Sequence, residues 1–264
     1  IDIYSDIAQG SYKKIIIHGY SLNMSKIVSY LSRMGMAHEL YVVKHGNPAQ
    51  WSYDQERRAA FEVLELVNSG RVRRAHFMKA GFEISVSNIF RPMLFNMSPV
   101  IEISRRPMQE RDGSKIAFAP GWADWRKNLY TSLMAGCMSN SVDKIWIYAN
   151  NVEIPSVIVN KVVHHKFINR EQTFDLINNS SICMNASVVD CHPMVNVESQ
   201  TLGKACIRGN LHLDALEDHP YVKLTEVDNV MSIADIKDTI DRVFAVPREE
   251  LRAITLDYQA SSDA

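Results

Sequence analysis

Short β-branched apolar runs alternate with longer stretches of helical periodicity along most of this chain. Lys13 to Gly19 (KKIIIHG) is the first such run, closed by glycine, and reads as a buried parallel strand. The segment after it places Leu22, Ile27, Val28 and Leu31 at helical spacing and stops at Gly35. A second strand, ELYVVKHG, and a second helix, DQERRAAFEVLELVNSG ending at Gly70, follow in turn. Strand, helix, strand in this order predicts a parallel α/β layer with right-handed crossovers.

The pattern resumes at Lys115 with KIAFAPG and then runs without a break: helix LYTSLMAGCM, strand KIWIYAN, a helix around PSVIVNKVV, strand HHKFI, helix REQTFDLINN, strand SICMNAS. That alternation predicts a doubly wound sheet. Between the halves, RPMLFNMSPVIEISRRPMQERDG carries three prolines and a charge-rich end, a passage between domains. The reading is therefore a first domain over 1–100, a linker over 101–114, a second domain over 115–245, and a C-terminal helix and tail over 246–264. Near the end, Ile233, Ile236, Ile240 and Val243 share one helical face. A last helix starting near Pro247 is expected to pack back across the domain interface.

With 264 residues, 46% of them apolar, the chain can bury a sizeable core. Lys plus Arg (29) nearly balances Asp plus Glu (30), so no global charge draws it to nucleic acid or an anionic membrane. Cys137, Cys183, Cys191 and Cys206 show no C-x-x-C spacing, which points to free thiols in a reducing compartment rather than a disulfide framework or zinc site. Neither a transmembrane run nor a basic-then-apolar leader is found, so the expectation is a soluble, cytoplasmic protein. One basic cluster, Arg71, Arg73, Arg74 and Lys79 interleaved with Phe77, reads as a solvated surface or a contact for a phosphorylated or nucleic-acid acceptor.

The stretch Ser187 to Ala205, SVVDCHPMVNVESQTLGKA, sets Asp190 in a loop and Glu198 eight positions later at the start of an amphipathic helix. Two such carboxylates are on their face ordinary helix-capping residues. Their register, however, resembles the donor-site motif S-x-x-E-x7-E-x4-G-x-P of retaining GT-B glycosyltransferases. Ser187, Glu198 and Gly203 match it, Asp190 replaces the first Glu, and Ala205 replaces the Pro. The resemblance implies an α/β fold of two Rossmann-like domains facing across a cleft, with the first domain shortened.

It also implies site residues. In FAPGWADWRKN, Gly121 and Lys127 match the family's phosphate-binding loop, Trp122 stands at its Arg position, and Arg126 beside Lys127 is placed to supply the missing charge. Lys127 would neutralise the departing diphosphate, Asp190 would bind hydroxyls of the transferred sugar, and Glu198 would hold the ribose. Loop amides of Cys191, His192, Met194 and Val195 would reach the sugar, whereas Pro193 has no N–H to give. The His192 ring would meet a phosphate or pack at the rim. From the first domain His45, closing the strand YVVKHG and flanked by Gly46, Asn47 and Trp51, would approach the sugar; His18 is the weaker candidate.

The implied function is a retaining hexosyl- or pentosyltransferase. It would use a nucleotide-diphosphate sugar as donor, no cofactor, and an unknown acceptor: a small molecule or glycan, with modified DNA as a minority case. No D-x-D pair is present, which fits independence from metal. Two alternatives stay open, a nucleotide-sugar epimerase or hydrolase of the same fold and a non-catalytic nucleotide-sugar-binding domain.

Overall fold

A computed structural model describes residues 7, 10, 12–77, 90–91, 113–121, 123–148, 152–166, 168–191, 193–210 and 216–263. The chain divides into two compact units, Ile1–Phe95 and Asn96–Ala264. The predicted linker between the halves lies almost wholly outside the described residues.

In the first unit, β1 (Ile15–His18), α1 (Met24–Arg33), β2 (Leu40–Lys44), α2 (Asp54–Asn68), β3 (Arg74–Phe77) and β4 (Phe90–Arg91) follow one another. The strands are parallel and lie in chain order, with Ile15 beside Leu40 and Tyr41 beside Arg74. α1 buries Val28 and Leu31 against this sheet, and α2 buries Ala59, Ala60, Val63 and Leu66. Each fully buried aliphatic side chain contributes about 1.5–3 kcal/mol, so these few residues hold the layer together. α1 ends where Gly35 turns to φ 80°, a conformation that side chains with a Cβ seldom adopt. Leu22 precedes the helix and is exposed, so it is not part of the buried stripe.

The second unit contains β5 (Ile116–Pro120), α3 (Leu129–Met138), β6 (Lys144–Tyr148), β7 (Val162–His165), α4 (Arg170–Asn179), β8 (Ile182–Asn185), α5 (Met194–Thr201), β9 (Cys206–Arg208), α6 (Pro220–Thr225), α7 (Ile233–Ala245) and α8 (Arg248–Asp263). Its sheet is parallel throughout, in the order β7-β6-β5-β8-β9. The chain thus winds one way from β5 to β7 and the other way from β8 to β9. A reversal of this kind opens a crevice at the carboxyl ends of the two central strands.

One predicted element changes type. The segment around PSVIVNKVV is a run of turns over 156–161, and β7 begins at Val162. Its β-branched residues lose side-chain freedom in a helix, whereas Val162 and Val163 pair with Ile145 and Trp146 of β6. In α7 the predicted stripe is observed: Ile236, Ile240 and Val243 are buried, and the Ser232 side chain caps the first turn through Asp235 N–H. α8 packs within this same unit, where Leu251 and Tyr258 enter the core and Tyr258 stacks on Tyr221 at 4.5 Å. All four cysteines are free thiols.

Candidate functional site

The reversal falls between β5 and β8, and the loops leaving their carboxyl ends carry the predicted residues. After β5, Gly121 N–H donates to the Tyr148 carbonyl (3.2 Å), and Trp125 to Lys127 form a single 3-10 turn. Asp124 caps that turn, accepting from the Arg126 backbone N–H (2.9 Å) and from its Nε (3.0 Å). Asn128 then takes the left-handed conformation, φ 52°, the lone non-glycine residue to do so among those described. Asparagine tolerates this geometry better than most residues. From there its buried Nδ2 donates to the carbonyls of Ala186 (3.1 Å) and Val230. A further bond, from Val188 N–H to the Arg126 carbonyl (2.8 Å), stitches the two loops together.

That stitching brings Lys127 and Asp190 into contact although 63 positions separate them: Nζ donates to Oδ2 at 2.5 Å. The other carboxylate oxygen of Asp190 accepts from Cys191 N–H at 3.0 Å. The Lys127 side chain is 31% exposed and that of Asp190 17%. Both partners are half-buried yet reachable, so a ligand can contact either. Arg126 is tied to Asp124 instead.

Neither carboxylate caps α5. Pro193 is its N-cap without any side-chain bond, and the first turn contains no acidic residue. Glu198 is the fifth residue of that helix rather than its start, a correction to the sequence reading, because the helix begins directly after Pro193, at Met194. Its side chain is 12% exposed and faces Arg170 of α4, whose guanidinium stays 3.6 Å away. Burial raises the Glu198 pKa above its ordinary value, and Arg170 only partly opposes this. A buried carboxylate with so distant a partner retains acceptor capacity for hydroxyl groups. Met194 and Val195 are the first two residues of α5, and their amides point out of the helix rather than into its ladder. His192 and Trp122 lie outside the described residues.

The motif serine is structural. Ser187 Oγ donates to Asn185 Oδ1 (3.0 Å), and Asn185 Nδ2 in turn donates to Asn196 Oδ1 (3.1 Å), fastening the loop to α5. A Cβ at Gly209 would come within 2.5 Å of the Ser187 carbonyl, so the end of β9 presses directly on this loop. Asp124, Asn128, Arg170 and Asn196 were not singled out from the sequence. Asn128 alone carried a local signal, an asparagine directly before an apolar helix.

In the first unit His45 and His18 leave adjacent strand ends, and their rings lie 5.7 Å apart. The His45 pKa is lowered, by partial burial first and then by His18 and Lys44. Asn47 and Gln50 form a reciprocal cap on the 3-10 turn Pro48–Ser52, and Trp51 meets Phe61 edge-on at 5.5 Å. Arg71, Arg73 and Arg74 are exposed, Arg73 lying over the Tyr41 ring at 6.0 Å; Lys79 lies outside the described residues.

Two parallel-sheet units, the second with a reversed strand order and a cationic loop at the reversal, define a class of fold: that of the GT-B glycosyltransferases. Among solved structures, the chain is similar to the UDP-forming α,α-trehalose-phosphate synthase of Burkholderia xenovorans in complex with glucose-6-phosphate (12% identity, TM-score 0.69, 95% of this chain and 69% of that one). It is similar too to the sucrose-phosphate synthase of Thermosynechococcus elongatus (13%, 0.66, 98% and 71%). A third is the E. coli trehalose-6-phosphate protein bound with UDP-2-fluoro glucose (11%, 0.65, 96% and 71%). The chain is shorter than these proteins and spans about seven-tenths of their length. No family model and no curated protein matches the sequence. Among the described residues no helix is long and apolar enough to cross a membrane.

Proposed function

We propose that the protein is a retaining, metal-independent glycosyltransferase that moves a hexosyl or pentosyl group from a nucleotide-diphosphate sugar to a hydroxyl-bearing acceptor. The observation that carries this reading is the Lys127–Asp190 pair at the strand reversal, an accessible cation beside an accessible carboxylate. In the transfer, the bond from the sugar's anomeric carbon to the phosphate oxygen breaks, and its electron pair leaves on the diphosphate. Lys127 stabilises that charge where it develops. The acceptor oxygen bonds to the anomeric carbon on the same face and passes its proton to the departing phosphate. Asp190 and Glu198 hold sugar and ribose hydroxyls, and the amides of Met194 and Val195 add donors at a helix N-terminus. The positive charge needed by the leaving group thus comes from protein groups. For His45 the sugar contact rests on the resemblance.

A panel of nucleotide sugars, screened by thermal shift and then by nucleotide release, tests the reading. A true donor at 100 times its Kd adds about 2.7 kcal/mol of stability. Release that survives chelation of divalent ions, with the anomeric configuration kept in the product, is the expected result. If no donor stabilises the protein, the proposal fails. Stabilisation without release under any acceptor would instead favour the binding-only reading, for which Trp122 at the family's Arg position is the supporting observation.

A further inference from the structure

At the opposite pole of the second unit, the amino ends of β5, β8 and β9 meet the turn between α7 and α8 around a pocket of about 640 Å³. Lys115, Lys204, Arg248 and Arg252 line it, and no acidic side chain does so among the described residues. Lys115 and Arg248 stand at exposed positions, whereas Lys204 is desolvated beside them.

The individual geometries sharpen the point. Lys204 is 7% exposed, and its Nζ donates to one protein group, the Ser180 carbonyl at 2.8 Å. Burial first, then Arg248 and, more weakly, Arg252, push its pKa down to about 8. The Arg252 Nε is buried with no hydrogen-bond partner, lying where a Cβ on Gly203 would approach it to 3.0 Å. Gly203 itself sits at φ 67°, a conformation that keeps the position free of a side chain. Lys115 Nζ stands 5.7 Å from the centre of the Phe244 ring. Glu249 and Glu250, on the first turn of α8, are exposed and do not line the pocket. Apolar Val243, Phe244 and Leu251 complete the wall, so the volume suits a small molecule with an anionic head and a less polar body.

We propose that this pocket is a second binding site, distinct from the strand-reversal site, for a small phosphorylated molecule. Arg252 and Lys204 would bind its phosphate oxygens through charge-assisted bonds from the guanidinium and the ammonium group.

Amide NMR of the full chain titrated with inorganic pyrophosphate, and separately with orthophosphate, tests it. The expected result is saturable movement of the Gly203–Ala205 and Arg248–Arg252 amides. Tighter binding of pyrophosphate marks a diphosphate ligand, and equal binding a monoester. Pyrophosphate is also expected to move the Lys127–Leu129 amides. Arg252→Gln weakens the pocket response roughly tenfold or more while leaving that second response in place. Should Arg252→Gln fail to fold, Arg252→Lys, which keeps the stem and the charge but loses the guanidinium fork, is read the same way. No movement of pocket amides at millimolar concentrations of either anion overturns the proposal, and so does undiminished binding by a folded Arg252→Gln protein.

Discussion

Each unit ends a central strand region with a lysine–carboxylate pair, and the two pairs differ in what they are open to. In the first unit Lys44, the last residue of β2, is almost fully buried and bonds Glu56 at 2.6 Å. In the second, Lys127 and Asp190 meet at a similar distance, and the difference lies in the lysine: Lys127 is 31% exposed against 4% for Lys44, although Glu56 is the more exposed of the two carboxylates. Strand order explains the contrast. β1 to β4 follow the chain, so the described first sheet has no reversal and its lysine is covered by the next helix. The β5/β8 reversal instead sets the loops leaving two adjacent strands side by side, and Lys127 meets Asp190 there without a helix laid over it.

The largest effect is expected from Lys127→Ala, which should lower nucleotide release from the donor by about 10²–10³, since it removes one positioned stabiliser of the leaving group. Its melting temperature should fall less than that of Lys44→Ala, because Lys127 is the more exposed lysine. The opposite split is expected for Lys44→Ala. It loses about 1–3 kcal/mol in denaturant unfolding, through the cavity left by its buried stem, with donor affinity unchanged. If both variants lost stability and activity together, the contrast between the pairs would be wrong.

Glu198→Gln tests a smaller term. Burial raises the Glu198 pKa above its ordinary 4.5, so protonation favours the folded protein. That contribution is complete below pH 4.5 and is lost as pH rises through the raised value. The glutamine variant should therefore melt higher than the parent at neutral pH, the gap closing on acidification, while donor affinity falls. A gap independent of pH would mean that Glu198 is not held in a desolvating site. Smallest is the shift expected at His45: its imidazole should titrate below the ordinary 6.5, and His18→Asn should move it part of the way back.

Much of this was legible in the chain. Helices 129–138 and 170–179 begin and end where periodicity and glycine, serine or asparagine signals place them, because local propensity and burial agree there. The misread segment, PSVIVNKVV, is one whose apolar run satisfies helix and strand alike; pairing with β6 decided between them. The register of Asp190, Glu198 and Gly203 was readable because it is linear. Arg170 opposite Glu198, and Asp124 claiming Arg126, were not, since those contacts cross between elements.

Outside the PSVIVNKVV segment, the sequence by itself determined which segments become strands and helices and which loop bears the charged residues, since these depend on neighbours a few positions apart. Only the tertiary structure decided that β5 and β8 lie side by side, so that Lys127 reaches Asp190 across 63 positions. It likewise gathered Lys115, Lys204 and Arg252 around one pocket. Such juxtapositions follow from which strand edges pair and which helix covers them, and no local pattern of residues encodes that choice.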